Sequence, residues 1–324
     1  MAGGRIAHLV LLLALAALLL FPAVADRFYL QLFSKIMIFG IFAMSLDMLV
    51  GFTGLVSLGH GAFFGIGAYA LLLLSPQYAA ADLWFSLPAA IAAAAVAALA
   101  IGLLVLRSSG VYFIMATLAF TQMFFYYVTG SKALGGSDGA YIFVKPDASI
   151  LGFVPFKLAD NVHFYYVVLA LLVATYALLR VILAAPFGHA IRGIKANEHR
   201  MRALGFSTFR YKLAAFVIAG ALAGLAGYLD AAQFGFVNPD LFGWRQSGSV
   251  LMMVILGGMG TLHGPVLGAF VLVLLQDFLA GETKHWLLPM GLFIIIAVLA
   301  LPGGLGRLSL PLAQLRRRFE ARRV

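Results

Sequence analysis

The chain has no cysteine among its 324 residues, which excludes a disulfide framework, thiolate metal sites and a thiol nucleophile. Charge is scarce as well, at 10% of residues, and the only glutamates are Glu198, Glu282 and Glu320. There is no His-Glu-x-x-His, so a zinc protease of that type is excluded, and no Gly-x-Ser-x-Gly elbow. No lysine follows a glycine, so the chain has no phosphate loop and does not hydrolyse ATP by that route. Nothing in it calls for a metal or a cofactor: His60 and His263 lack carboxylate or thiolate company and read as capping or interfacial histidines.

What is abundant is apolar: 63% hydrophobic residues and a mean hydropathy of +1.03 place the chain in the membrane class. A crossing takes about 20 apolar residues, so this length holds roughly eight to ten helices in a single membrane domain spanning 1–324. Seven long stretches read as spanning helices: Ile6–Ala25, Phe28–Val50, Trp84–Leu106, Val111–Thr129, Phe164–Ala184, Leu213–Gln233 and Trp286–Leu301. Gly61–Ser75, Gln246–Leu256 and Pro265–Phe278 are shorter and glycine-rich, and read as broken or re-entrant segments covered by protein or water. In the first stretch Arg5, an apolar run and Ala23-Val24-Ala25 admit two readings, a cleaved signal peptide or a retained first helix.

The net charge of +10 is placed for topology rather than for nucleic acid. Pro186–Lys212 and the tail 307–324 hold twelve of the 22 Lys and Arg, and both belong in the cytoplasm. The connection Gly130–Val162 balances Lys132, Lys145 and Lys157 with Asp138, Asp147 and Asp160, and belongs outside. Both termini are then cytoplasmic. A proton- or sodium-coupled transporter needs ionisable groups deep in its bundle. Asp47, Asp230 and Asp277 all read as lying near helix ends, which argues against a carboxylate relay.

Two segments share His-Gly-x-x-x-Gly, His60–Gly65 and His263–Gly268, each read as an inner end leading into a short helix. With Gly220, Gly224 and Gly227, their glycines Gly61, Gly65, Gly264 and Gly268 point to close helix packing or a pathway lining. Thr117 and Gln122 interrupt an apolar helix, as pathway groups or as partners of a neighbouring helix. Phe187–Phe209 reads FGHAIRGIKANEHRMRALGFSTF, too amphipathic for a turn. Ile191, Ile194, Met201, Leu204 and Phe206 need cover from a partner or a membrane face.

Five spaced stretches carry a resemblance: Leu46–Ala70 (LDMLVGFTGLVSLGHGAFFGIGAYA), Gly135–Gly139 (GGSDG), Asn197–Phe206 (NEHRMRALGF), Leu256–Ala269 (LGGMGTLHGPVLGA) and Leu301–Leu308 (LPGGLGRL). In this order they resemble the LivM/LivH-type permease subunits of branched-chain amino acid ABC importers, the LivM branch above all. The resemblance implies an all-α polytopic subunit of the bacterial inner membrane that imports branched-chain or related small amino acids and is not itself an enzyme. It implies a second, LivH-like permease, two cytoplasmic ATPases and a periplasmic or lipoprotein binding protein as partners. Glu198, Ala203 and Gly205 look like the reduced Glu-Ala-Ala…Gly loop of ABC permeases, with His199 and Arg200 where the alanine pair would stand. Arg192, Arg200 and Leu204 join them as expected ATPase contacts, while Ser137 and Asp138 are expected to meet the binding protein. The rival readings are an ion-coupled secondary transporter and a membrane scaffold with no transport role.

Overall fold

A computed structural model describes residues 16–23, 25–76, 79–148, 158–301 and 303–307. Most of the first apolar stretch and all of the basic tail beyond Arg307 lie outside the described residues. Eleven α-helices follow Asp26 among the described residues: α1 (Arg27–Asp47), α2 (His60–Leu74), α3 (Leu83–Val105), α4 (Val111–Gly130), α5 (Asn161–Ala184), α6 (Pro186–Ala196), α7 (Glu198–Ala203), α8 (Thr208–Phe234), α9 (Trp244–Gly257), α10 (Gly264–Glu282) and α11 (Leu287–Ala300). The sheet is minimal. β1 (Ala140–Tyr141) pairs antiparallel with β2 (Phe236–Val237), tying the α4–α5 connection to the α8–α9 connection.

Six helices are long and apolar enough to cross a bilayer: α1 with its π-helical extension Met48–Thr53, α3, α4, α5, α8 and α10. Two expectations are corrected here. Trp286–Leu301 reads as a full span, but α11 has only 14 residues, about 21 Å of rise. It stops at Leu301, whose place before Pro302 disfavours helical backbone. Pro265–Phe278 reads as a short segment, yet α10 runs 19 residues to Glu282. Its last turn is polar, and polarity ends an apolar run without ending backbone pairing.

The core is inverted relative to a lipid-facing helix. The apolar stretch of α1 is wholly buried and most of that of α8 is too, whereas only 22–33% of α3, α4, α5 and α10 is covered. What lets α8 into the centre is its row of small residues. A Cβ on Gly220 would meet Ala98, one on Gly224 would meet Ala94, and one on Gly227 would fall on the Phe64 carbonyl. Backbones therefore touch along α2, α3 and α8, the packing that small residues permit where no hydrophobic driving force separates helices from lipid.

Side-chain caps start three helices: Asp82 accepts from Trp84 N (3.0 Å), Asp160 from Val162 N (3.1 Å) and Asn197 from Arg200 N (2.9 Å). Each satisfies a donor that the first turn leaves orphaned. At the other end of α1, the π turn closes on Gly54, which takes the left-handed conformation (φ 80°).

Candidate functional site

Two features stand out, and both begin at Met48–Thr53. The first is the basic segment. α6 lays Ile191 against Phe52 and Leu183, with Ile194 also buried, so these residues are covered by the chain itself rather than by a partner. The Arg192 guanidinium lies 5.2 Å from the centre of the Phe52 ring. Lys195 donates to the Gly51 carbonyl (2.5 Å) and reaches the Val50 carbonyl (3.5 Å). A lysine ammonium thus satisfies carbonyls that the π turn leaves free at the end of the central helix.

Glu198 opens α7 and is clamped at both oxygens, by Arg202 (2.7 Å) and by Lys212 at the start of α8 (2.5 Å). Burial alone would raise its pKa; hydrogen bonds from Lys212 and Arg202 outweigh that and hold it at about 2. A folded pKa below the ordinary carboxylate value means that the clamp contributes fully above that value and is lost only as pH falls towards about 2.

Beyond the clamp the chain turns at Gly205 (φ 86°), where a Cβ would meet nothing within 4 Å. Ala203, Leu204 and Phe206 are exposed there, Leu204 by 66%. Met201 tucks against Gly193. Arg200 is exposed and has no partner side chain among the described residues.

The second feature is a helix break. After Gly54 the chain runs non-helically to Gly59, back alongside α1, and α2 starts at His60. His60 is stacked on Phe42 (6.0 Å) and shares a hydrogen bond with Ser45 (3.2 Å). Ser45 lies eight residues, about 12 Å of helix rise, before the end of the π turn. The sequence places the segment leading to His60 at the inner face, whereas the histidine is buried well inside the bundle beside Ser45. The sole Ser45 hydroxyl hydrogen goes to the Phe42 carbonyl (2.7 Å), so His60 Nε2–H is the donor and Nδ1 is a buried acceptor without a partner.

Free backbone in a bilayer needs partners, and here they come from other helices. Leu58 N donates to Thr117 Oγ1 (3.3 Å), and the Thr121 hydroxyl shares its hydrogen between the Thr117 carbonyl (3.1 Å) and the Leu58 carbonyl (3.4 Å). Thr117 is therefore a buried support, while Gln122 is half-exposed and has no hydrogen-bond partner among the described residues.

Gly61 N donates to Ser247 Oγ on α9 (2.8 Å), and a Cβ on Gly61 would crowd Ser247 and the Gly243 carbonyl. Gly65 leaves room for the Phe242 ring. The starts of α2 and α9 thus meet inside the bundle. Ser247→Ala would strand the buried Gly61 N–H at a cost of about 1–3 kcal/mol. The expected result is a lower thermal midpoint for the purified protein; an unchanged midpoint would contradict that pairing.

At the basic end, Asp47 accepts from Gly260 N (2.8 Å), and the turn Gly258–His263 packs by Leu262 near Phe52. Gly264 opens α10 against the Gly257 carbonyl, and Gly268 lies against the Met253 carbonyl. His263 bonds the Gly306 carbonyl (3.2 Å). At the opposite end Ser137 donates to Asp138 (3.0 Å), both exposed, beside the β1–β2 ladder. No group of three or more His, Asp or Glu that could hold a metal occurs among the described residues.

Asp47, expected near a helix end, pairs there with the Gly260 N–H, whereas nothing in the sequence marks Lys195 and Ser247 as structural links. Sequence reading also passes over Arg245, an exposed arginine in the first turn of α9 with no ion-pair or hydrogen-bond partner among the described residues. Its signal was a cation immediately before a short apolar run, which reads as interfacial.

Comparison with known proteins now separates the rival functions. Residues 28–301 match the family model described as branched-chain amino acid transport system / permease component. LivM of Escherichia coli (strain K12), a high-affinity branched-chain amino acid transport system permease protein, is 31% identical over 97% of this chain and 78% of its own. A probable branched-chain amino acid transport permease protein, LivH of Methanocaldococcus jannaschii, is 25% identical over 71% of this chain and 73% of its own. The autoinducer 2 import system permease protein LsrC of Klebsiella pneumoniae is 35% identical over 43% of this chain and 42% of its own. No solved structure matches the chain. Nothing in these likenesses supports an ion-coupled secondary transporter. The chain belongs to the branched-chain amino acid transport system permease component family, as a non-enzymatic, multi-pass permease subunit of an ABC-type importer in the bacterial inner membrane.

Proposed function

We propose that this subunit imports branched-chain or closely related small amino acids, and that Pro186–Lys212 is its cytoplasmic connection to the motor. The partners are a LivH-like second permease, two ATPases and a periplasmic or lipoprotein binding protein. Both termini face the cytoplasm, and the whole chain forms one membrane domain. The six long helices, α2, α9, α11 and the first apolar stretch supply ten membrane segments, of which α2 and α9 start within the bilayer.

The observation that carries the motor assignment is a loop fixed at its base and bare at its tip. Lys195 and Arg192 hold α6 to the end of the buried central helix, and Glu198 locks α7 to α8. Leu204 projects with 66% of its surface exposed, and Phe206 beside it leans on the Tyr211 ring while 38% of it stays exposed. A displacement of that tip reaches α1 through stiff contacts, and α1 ends where the helix break begins. Arg200 and Ala203 flank the tip and complement an acidic, apolar-floored groove on an ATPase. Ser137 and Asp138, exposed at the far end, meet the binding protein.

The test is uptake of radiolabelled leucine into proteoliposomes carrying both permeases and the ATPases, with the binding protein added outside. Lys195→Met, which frees the Gly51 carbonyl but leaves the tip intact, is expected to reduce uptake about ten-fold while ATP hydrolysis by the complex continues. Unchanged uptake in Lys195→Met removes the mechanical assignment.

A further inference from the structure

We propose that Arg245 holds the carboxylate of the transported amino acid midway through the membrane, a step that rests on the amino-acid import reading above. Arg245 lies twelve residues before Gly257, about 18 Å of rise from the basic end of α9. The Gly243 carbonyl just before it touches the position of Gly61, itself thirteen residues, about 20 Å, from the far end of α2. In a hydrocarbon core about 30 Å thick this is the interior.

An arginine exposed on the outside of the bundle at that depth does not face lipid without penalty. No ion pair or hydrogen bond satisfies it among the described residues. The buried acids are engaged elsewhere: Asp47 accepts from Gly260 N at the basic end, and Asp230 lies on α8 near Lys35. Asp240, the nearest acid in sequence, is exposed and makes no ion pair with it, so no carboxylate among the described residues supplies the counter-charge.

Three surrounding features favour a small carboxylate as its source. Arg245 is the second residue of α9, so the positive end of the helix adds to its own charge, and the start of α2 converges on the same level through Gly61 and Ser247. The planar guanidinium offers two parallel donors to the two oxygens of a carboxylate. Below it, Gly248, Ser249 and Met252 form a partly exposed strip descending to Met259, and a Cβ on Gly248 would meet nothing within 4 Å. Small residues beside flexible thioethers make an adaptable track for an aliphatic side chain. On α4, Gln122 follows Thr121, which touches Leu58 just before the α2 start, and it is half-exposed at this depth with no hydrogen-bond partner among the described residues.

The absence of cysteine makes the test clean. Leucine uptake is measured in proteoliposomes with the assembled transporter and binding protein for Arg245→Met, Arg245→Lys and Arg245→Cys, alongside co-purification of the second permease. Arg245→Met is expected to lose at least ten-fold in uptake while still co-purifying, and Arg245→Lys to fall between it and the wild type. Arg245→Cys is expected to regain at least five-fold on modification with a positively charged thiosulfonate and nothing with a negatively charged one, which also shows that the variant is folded. Wild-type uptake in Arg245→Met, or no response of Arg245→Cys to the cationic reagent, overturns the proposal. So does loss of the second permease from Arg245→Met, which would make Arg245 the partner of an acidic side chain on that subunit. If the wild-type complex itself does not take up leucine, the substrate reading beneath the proposal is what fails.

Discussion

Gly67→Val is expected to eliminate folded protein from mild detergent extracts. A Cβ at Gly67 falls on the carbonyl and Cα of Gly224, so the obstacle is backbone rather than a side chain that can swing aside. Overpacking an ordinary core site costs about 1–3 kcal/mol because neighbours shift rotamers. Here α2 and α8 must separate, and α8 is the helix around which α1, α2 and α3 are arranged. The loss should therefore exceed that range. Gly268→Leu meets the Met253 carbonyl in the same way and should behave similarly. Gly281→Ala, where nothing lies within 4 Å, serves as control and should match the wild type, with up to about 1 kcal/mol gained in helix propensity. Fluorescence-detected size exclusion of the expressed variants reads the result. A normal monodisperse peak for Gly67→Val would show that the two helices do not touch.

Glu198→Lys is expected to abolish function while leaving the protein in the membrane. The substitution sets a third cation beside Arg202 and Lys212, which the native carboxylate holds together at 2.7 and 2.5 Å. The repulsion opens α7 away from α8 at the base of the exposed tip. Little core is disturbed, because none of α7 is buried. Yield should stay near wild type while leucine uptake and substrate-stimulated ATP hydrolysis by the assembled transporter fall more than ten-fold. Adding Lys212→Glu restores one attraction and should recover part of the uptake. Wild-type uptake in Glu198→Lys would mean that the clamp has no part in transmission.

The spanning helices were legible because burial in lipid demands long apolar runs, and Phe28–Val50, Trp84–Leu106, Val111–Thr129, Phe164–Ala184 and Leu213–Gln233 each became one within a few residues. The family was legible for a related reason: its motifs sit where backbone contacts leave little freedom, as at Gly61, Gly264 and Gly268. Helix lengths were less so, since α10 continues through a polar turn and α11 stops early. Hidden altogether was the depth of the helix break. Gly54–Gly59 reads as a turn at a membrane face, and only the Phe42–His60 and Ser45–His60 contacts reveal that the chain doubles back beside α1. The same holds for Lys195 on Gly51 and Glu198 on Lys212: charges in a basic loop carry no local mark of the partner they will find. Ile191 and Ile194 need cover, and the chain itself supplies it, Ile191 lying against Phe52 of the π turn and Leu183, which leaves Leu204 as the most exposed apolar side chain of the segment.

That exposed tip is where the account is most directly tested. A photo-reactive maleimide on Leu204→Cys, the only cysteine in the chain, is irradiated in the assembled transporter during ATP turnover. The account predicts a cross-link to an ATPase subunit that is lost when the ATPases are omitted. Labelling of lipid or of the second permease, with none on the ATPase, would contradict it.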